Sequence, residues 1–553
     1  MRMMASGRAS SGFNLLDEPW ITVLTGDGQE RDVSILEVFE QSHALSVIGG
    51  EVPTQAFAIT RLLVAFLHRA LDGPADQPAW AALWEQPALP MERVHAYADR
   101  VRDRFDLFDA GVPFFQVAGL RTAKDEVSGL EKIVADVPNG EPLFTTRSAA
   151  SLARITAAEA ARWLVHVQAF DPSGIKSGAV GDRQVKNGKG YPIGPGWSGQ
   201  IGGVLAQGAD IRETLLLNLI ARDAETYVRV GGAADVPPWE CDPDGAAWAE
   251  ERPVAGAIQC YTWQTRRVRL QGSRDGVTGV VLANGDRMAP QNRQNVEPHT
   301  AWRYSEPQSK KAGHPVYMPR RHDPSRSVWR GLAALLPSIS PRLSTGGDPA
   351  RLLAPGVLQW LSELIEEGHL PDTFVVRLRV HGMEYGAQNA TCAEILDDLL
   401  PLPAVLLRQG RPAAGRTADG AVTDANSAAS CVWRLAENLA QAAGAPPQSG
   451  AGAAAQERLY AALEQPYRTW LAGLRPGCDL VEARSGWQRT VRAACWPIRD
   501  ELVAGAPTAA WTGRPVNQRL VNVPLAEVWF NNALRGVLPL AYIEAKAPVE
   551  VAG

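Results

Sequence analysis

Apolar residues recur at helical spacing through much of the first 220 positions of this chain. After Pro53, the run Thr54 to Leu71 sets Ala56, Ile59, Leu63, Phe66 and Leu67 on one face, the spacing of a core helix. Ser34 with Glu37, Thr156 with Glu159 and Asp210 with Glu213 mark further helix starts. In each, a capping side chain lies three residues before a carboxylate, so orphan N–H groups are satisfied reciprocally. From 255 to about 335 the pattern alternates instead, as in Tyr261 to Leu270 and Gly276 to Leu282. Turn residues at Gly272 to Gly276 and at Asn284-Gly285 predict a β-rich subregion. Beyond about 420, four segments (424–443, 453–473, 482–504 and 523–538) return to helical period. GAPPQSGAG (444–452) and the Pro/Gly-rich 505–515 break them. Short connections between four helices predict an antiparallel four-helix bundle. The expected fold class is α+β: a disordered extension over 1–12, a large mixed α/β N-terminal domain over 13–405 with the β-rich subregion, and a C-terminal four-helix bundle over 406–553.

At 553 residues the chain exceeds the size of a single core, which agrees with several domains. Six scattered cysteines form no C-x-x-C pair, so reduced thiols are expected, with no metal site and no cofactor. MRMMASGRASSG lacks the apolar core of a secretory signal, and no apolar run is long enough for a membrane span. A cytoplasmic protein without a membrane partner is expected. A net charge of −5 argues against coating nucleic acid by bulk charge, yet 255–330 carries thirteen Lys/Arg against five Asp/Glu. There Trp263, Arg266, Arg267, Arg269, Trp302, Arg303, Lys310, Lys311, Tyr317, Arg320, Arg321 and Arg326 read either as a surface for phosphates and bases or as a solvated face.

Residues 171–203 hold ten glycines, three prolines and four Lys/Arg, backbone suited to approaching an anion. Gly194 to Gly199 match the dinucleotide fingerprint by letter. However, no buried strand is predicted before them, and Pro195 lacks an N–H. A P-loop fails as well: six residues separate Gly181 from Gly188, and Gly190 stands where magnesium needs a hydroxyl. His322-Asp323 reads as a surface turn, and His166 as a partly buried, hydrogen-bonded residue. No catalytic constellation emerges, so the chain does not read as an enzyme. The alternative is a nucleotide-binding enzyme using the glycine-rich loop 171–203.

Asn14-Leu15-Leu16-Asp17-Glu18-Pro19-Trp20-Ile21, Pro113-Phe114-Phe115-Gln116, AEAARWLVHVQAFDPSGIKSG (158–178) and ADIRETLLLNL (209–219) together closely resemble the CasA family. That family is the large subunit of the type I-E CRISPR surveillance complex, Cascade. The resemblance is densest over 14–220. It implies a non-catalytic subunit that reads the protospacer-adjacent motif in double-stranded DNA, helps open the duplex and docks a helicase-nuclease effector. Its other implied partners are the remaining Cascade subunits and the CRISPR guide RNA. Residue by residue, it carries a motif-reading glycine-rich loop to Ser173, Gly174, Ile175, Lys176 and Gly178. A lysine finger falls at Lys310 or Lys311, and a wedge at Gln388 and Asn389, where the amide order is reversed from the family's Asn-Gln. A guide- and complex-anchoring loop falls at Phe144, Thr145 and Arg147. Arg183, Lys186, Lys189, Arg320 and Arg321 are expected along the DNA backbone. The zinc knuckle of some relatives is missing.

Overall fold

The computed structural model describes residues 12–137, 145, 147, 152–342 and 349–543. The expected extension 1–12, save Gly12, lies outside them. The chain divides into two compact units. The first comprises residues up to 326 with 340–370 and 376–399, the second 327–339, 371–375 and 400–553.

In the first unit, Pro53–Ala70 forms the helix its spacing predicts, but nearly every side chain is buried rather than one face. A helix surrounded on all sides must pair its polar groups internally. Arg61 does so with Glu297 at 2.6 Å, and the same carboxylate accepts from Trp197 Nε1 at 2.7 Å. This helix packs against Ala157–Phe170, whose start is capped by Thr156 accepting from the Glu159 N–H. Ser34 forms the reciprocal capping box with Glu37.

The strands make several small antiparallel sheets. β1 (Ile21–Thr25) lies between β2 (Glu30–Val33) and β3 (Leu45–Ile48). β4 (Lys176–Ser177) pairs with β5 (Lys189–Gly190), and the chain reverses between them at Asn187-Gly188, both left-handed. β6 (Gly203–Gln207) forms the edge of a later sheet. β7 (Arg266–Ser273) and β8 (Gly276–Asn284) form the hairpin expected in the β-rich region, although Tyr261 ends a short helix, Ala257–Tyr261. β9 (Trp302–Tyr304) lies between β10 (Tyr317–Pro319) and β11 (Leu352–Leu353). β12 (Val375–Tyr385) runs between β6 and β13 (Cys392–Pro403), with His381 opposite Gly203.

Only part of the basic segment is the surface its composition suggested: Arg269, Arg303, Lys310, Lys311, Arg321 and Arg326 are exposed. Trp263, Arg266, Arg267 and Trp302 are all buried, and Arg267 pairs with Asp244 at 3.3 Å and Asp286 at 3.1 Å. Arg266 and Arg267 are consecutive on β7 and so point to opposite faces, yet both are covered, and each is neutralised by buried or half-buried acids, Arg266 by Asp171 and Arg267 by Asp244 and Asp286. His322, expected on a surface turn, is only partly exposed and shares a hydrogen bond with the Gly203 carbonyl at 3.1 Å. His166 is fully enclosed, 2.9 Å from Thr54 Oγ1.

The second unit has four long helices, Ala413–Ala443, Ala451–Ala472, Leu480–Ala504 and Val523–Val537. The first begins eleven residues before the predicted 424, because its opening turns mix alanine and glycine with polar residues and show little apolar period. It packs against each of the other three. Trp487 Nε1 donates to the Ala421 carbonyl at 2.8 Å and Tyr467 Oη to that of Ala418 at 3.0 Å. Trp329 stacks on Tyr467 with ring centroids 4.4 Å apart, which draws 327–339 into this unit although they precede position 406 in sequence. The segment 505–515 is a break, as expected, but holds a short helix, Thr508–Thr512, and enters a small hairpin, Arg514–Val516 with Arg519–Val521.

Candidate nucleic-acid interface

The helix Ala157–Phe170 ends at Asp171, and the next residues form the near end of the glycine-rich stretch. Asp171 is buried with two cations on its carboxylate: Lys176 Nζ at 2.6 Å, and Arg266 Nε. Arg266 Nη2 also donates to the carbonyls of Pro172 at 3.1 Å and Gly194 at 2.9 Å. One guanidinium thus ties the start of the loop to a point about twenty residues further on. Burial lowers the Lys176 pKa, against the pull of the Asp171 carboxylate beside it.

This arrangement sorts the predicted loop residues. Lys176 is turned inward, because Asp171 would otherwise be a buried charge with a single partner. Gly178 also faces inward, where a Cβ would come within 2.5 Å of the Gly188 carbonyl. Gly174, at φ +126, has open space on its Cβ side, and Ile175 is an exposed aliphatic side chain. Ser173 is buried, and its N–H donates to the Asn389 carbonyl at 2.7 Å.

That bond reaches the tip of the β12–β13 hairpin. Tyr385, the last residue of β12, donates its hydroxyl to the Phe170 carbonyl at 2.8 Å, so the hairpin is fixed to the helix end. The Gly386 N–H then donates to the Thr391 carbonyl at 2.9 Å and closes the turn. Ala387 to Ala390 are exposed, and both Gln388 (φ 56) and Asn389 (φ 55) are left-handed. Asparagine adopts this region readily, whereas for glutamine it costs about 1 kcal/mol or more. A cleft of about 360 Å³ lies between loop and tip, lined by Ile175, Ala390 and Thr391 among others.

The remaining predicted residues are spread around this centre. Arg321, expected on DNA backbone, donates to the Met383 carbonyl at 3.0 Å and pairs with Glu384 at 2.8 Å, bracing the hairpin stem. Arg320 is half-buried, and burial lowers its pKa. Lys310 and Lys311, expected at a loop tip, lie instead in the last turn of a short helix, Glu306–Ala312, ended by left-handed Gly313. Both are exposed, and Lys310 pairs with Glu306 one turn back at 2.7 Å. Arg183, Lys186 and Lys189 are exposed, with no ion pair among the described residues. Arg147 pairs with Glu159 at 2.6 Å, and Thr145 Oγ1 accepts from its N–H; Phe144 lies outside the described residues.

Two glycines of the apparent dinucleotide fingerprint have packing roles. A Cβ on Gly196 would come within 2.4 Å of the Ala169 carbonyl, and one on Gly199 within 1.9 Å of the Tyr385 hydroxyl. These two face protein, whereas Gly194, left-handed at φ +104, has open space on its Cβ side.

Residues 14–498 match the family described as CRISPR-associated protein Cse1. This chain belongs to that family. The CasA/Cse1 protein of Thermus thermophilus is 30% identical over 436 residues, 78% of each chain. The crystal structure of Thermobifida fusca Cse1 superposes with a TM-score of 0.88 at 45% identity, covering 96% of this chain and 99% of that one. A chain of a CRISPR RNA-guided surveillance complex shares the fold at 19% identity, with a TM-score of 0.70 over 95% of this chain and 99% of its own. Among the described residues, no helix is long and apolar enough to cross a membrane.

Sequence reading missed Asp171 and Tyr385 and placed Arg266 on the surface, although these three fix this Cse1 loop and hairpin to one another. Asp171 directly follows the predicted helix, so its place was visible. The side chains that meet the helix end were not: Arg266 lies 95 positions from Asp171, and Tyr385 lies 215 from Phe170.

Proposed function

We propose that this Cse1-family chain is the non-catalytic large subunit of a type I-E Cascade complex. It reads the protospacer-adjacent motif of duplex DNA from the minor groove, opens the adjacent pair and docks a helicase-nuclease. The observation that supports this most is the Ser173–Asn389 hydrogen bond, which joins the loop at half-buried Gly174 and exposed Ile175 to the Gln388-Asn389 tip. Gly174 carries no side chain between its backbone and a groove floor. An amide side chain at the tip enters beside the motif and bonds to base edges exposed by unstacking, which costs a few kcal/mol offset by groove contacts and guide pairing. Lys310 or Lys311 donates to acceptors that all base pairs share in the minor groove, so several motif sequences are tolerated. Arg183, Lys186 and Lys189 follow the backbone, and Phe144, Thr145 and Arg147 anchor the subunit near the guide RNA. The four long helices act as a bundle for docking within the complex.

The test uses the assembled complex with guide RNA. Gln388→Ala with Asn389→Ala slows opening of a linear motif-bearing duplex and has little effect on a target already melted beside the motif. Equal losses on the two targets would refute the wedge.

A further inference from the structure

A second cleft, of about 520 Å³, opens beyond the β4–β5 turn and includes Arg183, Lys186, Tyr191, Trp248 and Asn284 in its wall. Its volume is within the range of small-molecule sites. Tyr191 is 50% exposed and its ring has no ring partner among the described residues. The backbone that carries the ring is held: Asn284 Nδ2 donates to the Tyr191 carbonyl at 2.7 Å. Asn284 is 2% exposed, and its Oδ1 has no hydrogen-bond partner among the described residues, so the wall contains an unsatisfied buried acceptor. Trp248 is fixed by its Nε1 donating to Asp182 Oδ2 at 3.1 Å. That carboxylate also accepts from the Gln184 N–H through Oδ1, so both of its oxygens are already engaged. Arg183 and Lys186 are exposed in the lining, as is one carboxylate, Glu250, so the two cations outnumber it.

A half-exposed aromatic ring on a fixed backbone, beside two cations that have no ion pair among the described residues, has the chemistry of a stacking platform with phosphate partners. In a duplex both faces of each base are covered, so only an unpaired base can lie on such a ring. We propose that this cleft binds one unpaired nucleotide of a nucleic-acid strand, its base stacked on Tyr191 and its phosphates neutralised by Arg183 and Lys186. The function proposed above bears on where that strand comes from, not on the binding chemistry.

The test measures fluorescence anisotropy of labelled hexathymidylate and hexauridylate with the full chain at low salt, with ATP as a free-nucleotide competitor. Tyr191→Ala lowers affinity for at least one oligomer roughly tenfold, and Tyr191→Phe, which keeps the ring, does not. Arg183→Ala with Lys186→Ala lowers the salt slope by about 1.4, two contacts at about 0.7 each on a single strand. Preference between the oligomers identifies the source as DNA or RNA. Wild-type affinity in Tyr191→Ala, equal loss in Tyr191→Phe, an unchanged slope, or ATP competing as well per site as the oligomers overturns the proposal. Duplex binding by the assembled complex is read separately. If Tyr191→Ala retains it, the cleft is a distinct site. If the wild type shows no motif dependence, the motif reading fails and the cleft result still stands.

Discussion

The root of the 172–178 loop and the tip of the β12–β13 hairpin meet at one hydrogen bond, yet opposite chemistry builds them. The root is ionic and buried: Asp171 holds Lys176 and Arg266 on one carboxylate. The tip is uncharged and exposed, and its distinguishing property is backbone strain at Gln388. Formal charge is therefore a poor guide to recognition in this chain. Lys176 and Arg266, which read as contacts for phosphate, are used to shape the loop, and the surface left outside is neutral backbone and amide.

The largest effect expected on this contrast comes from Arg266→Ala. It strips a buried carboxylate of a partner and frees the Pro172 and Gly194 carbonyls, so thermal stability of the first unit falls by about 3–5 kcal/mol. Arg266→Lys restores little, since one ammonium cannot span the same acceptors. A loss below about 1 kcal/mol would mean the root is not held this way.

Acid separates the two regions next. Burial holds the pKa of His166 down to about 3, His381 to about 3 and His68 to about 4. The folded chain then binds fewer protons than the unfolded chain below the usual histidine value. Stability is full above about pH 6.5 and falls toward pH 4, by up to about 1.4 kcal/mol per pH unit for each group. Residues 386–391 contain no titratable side chain, so tip-dependent duplex opening stays flat between about pH 6.5 and 5.5 while the melting temperature drops. A melting temperature constant across that window contradicts the burial of neutral histidines.

Gln388→Gly sharpens the contrast from the other side. Glycine adopts positive φ without steric strain but is freer in the unfolded chain, so the variant keeps its stability or gains at most about 1 kcal/mol while duplex opening slows. If stability and opening both fall, the tip is an ordinary turn rather than a strained functional element. The smallest structural effect belongs to the lysines. Lys311→Ala leaves melting unchanged but reduces the salt slope of motif-duplex binding by about one, and Lys310→Ala reduces it less, because Lys310 is shared with Glu306.

Much of the fold was legible along the chain. The capping pairs at Ser34 and Thr156 mark true helix starts because they act within one turn. The 266–284 hairpin and the four long helices follow from period and breakers. What was not legible depends on distant partners. Alternation on β7 shows which residues share a face but not that Asp171 waits beneath Arg266. Likewise, glycine spacing at 194–199 could not show that Gly196 and Gly199 press against Ala169 and Tyr385.

By itself the sequence determined the family, the local elements and the residues at the hairpin tip, since each is written in short-range pattern or in ordered matching segments. Tertiary structure alone decided which basic and glycine residues face solvent. Burial and ion pairing depend on segments far apart along the chain, as where Tyr385 meets Phe170 across 215 positions, and no local period encodes that meeting.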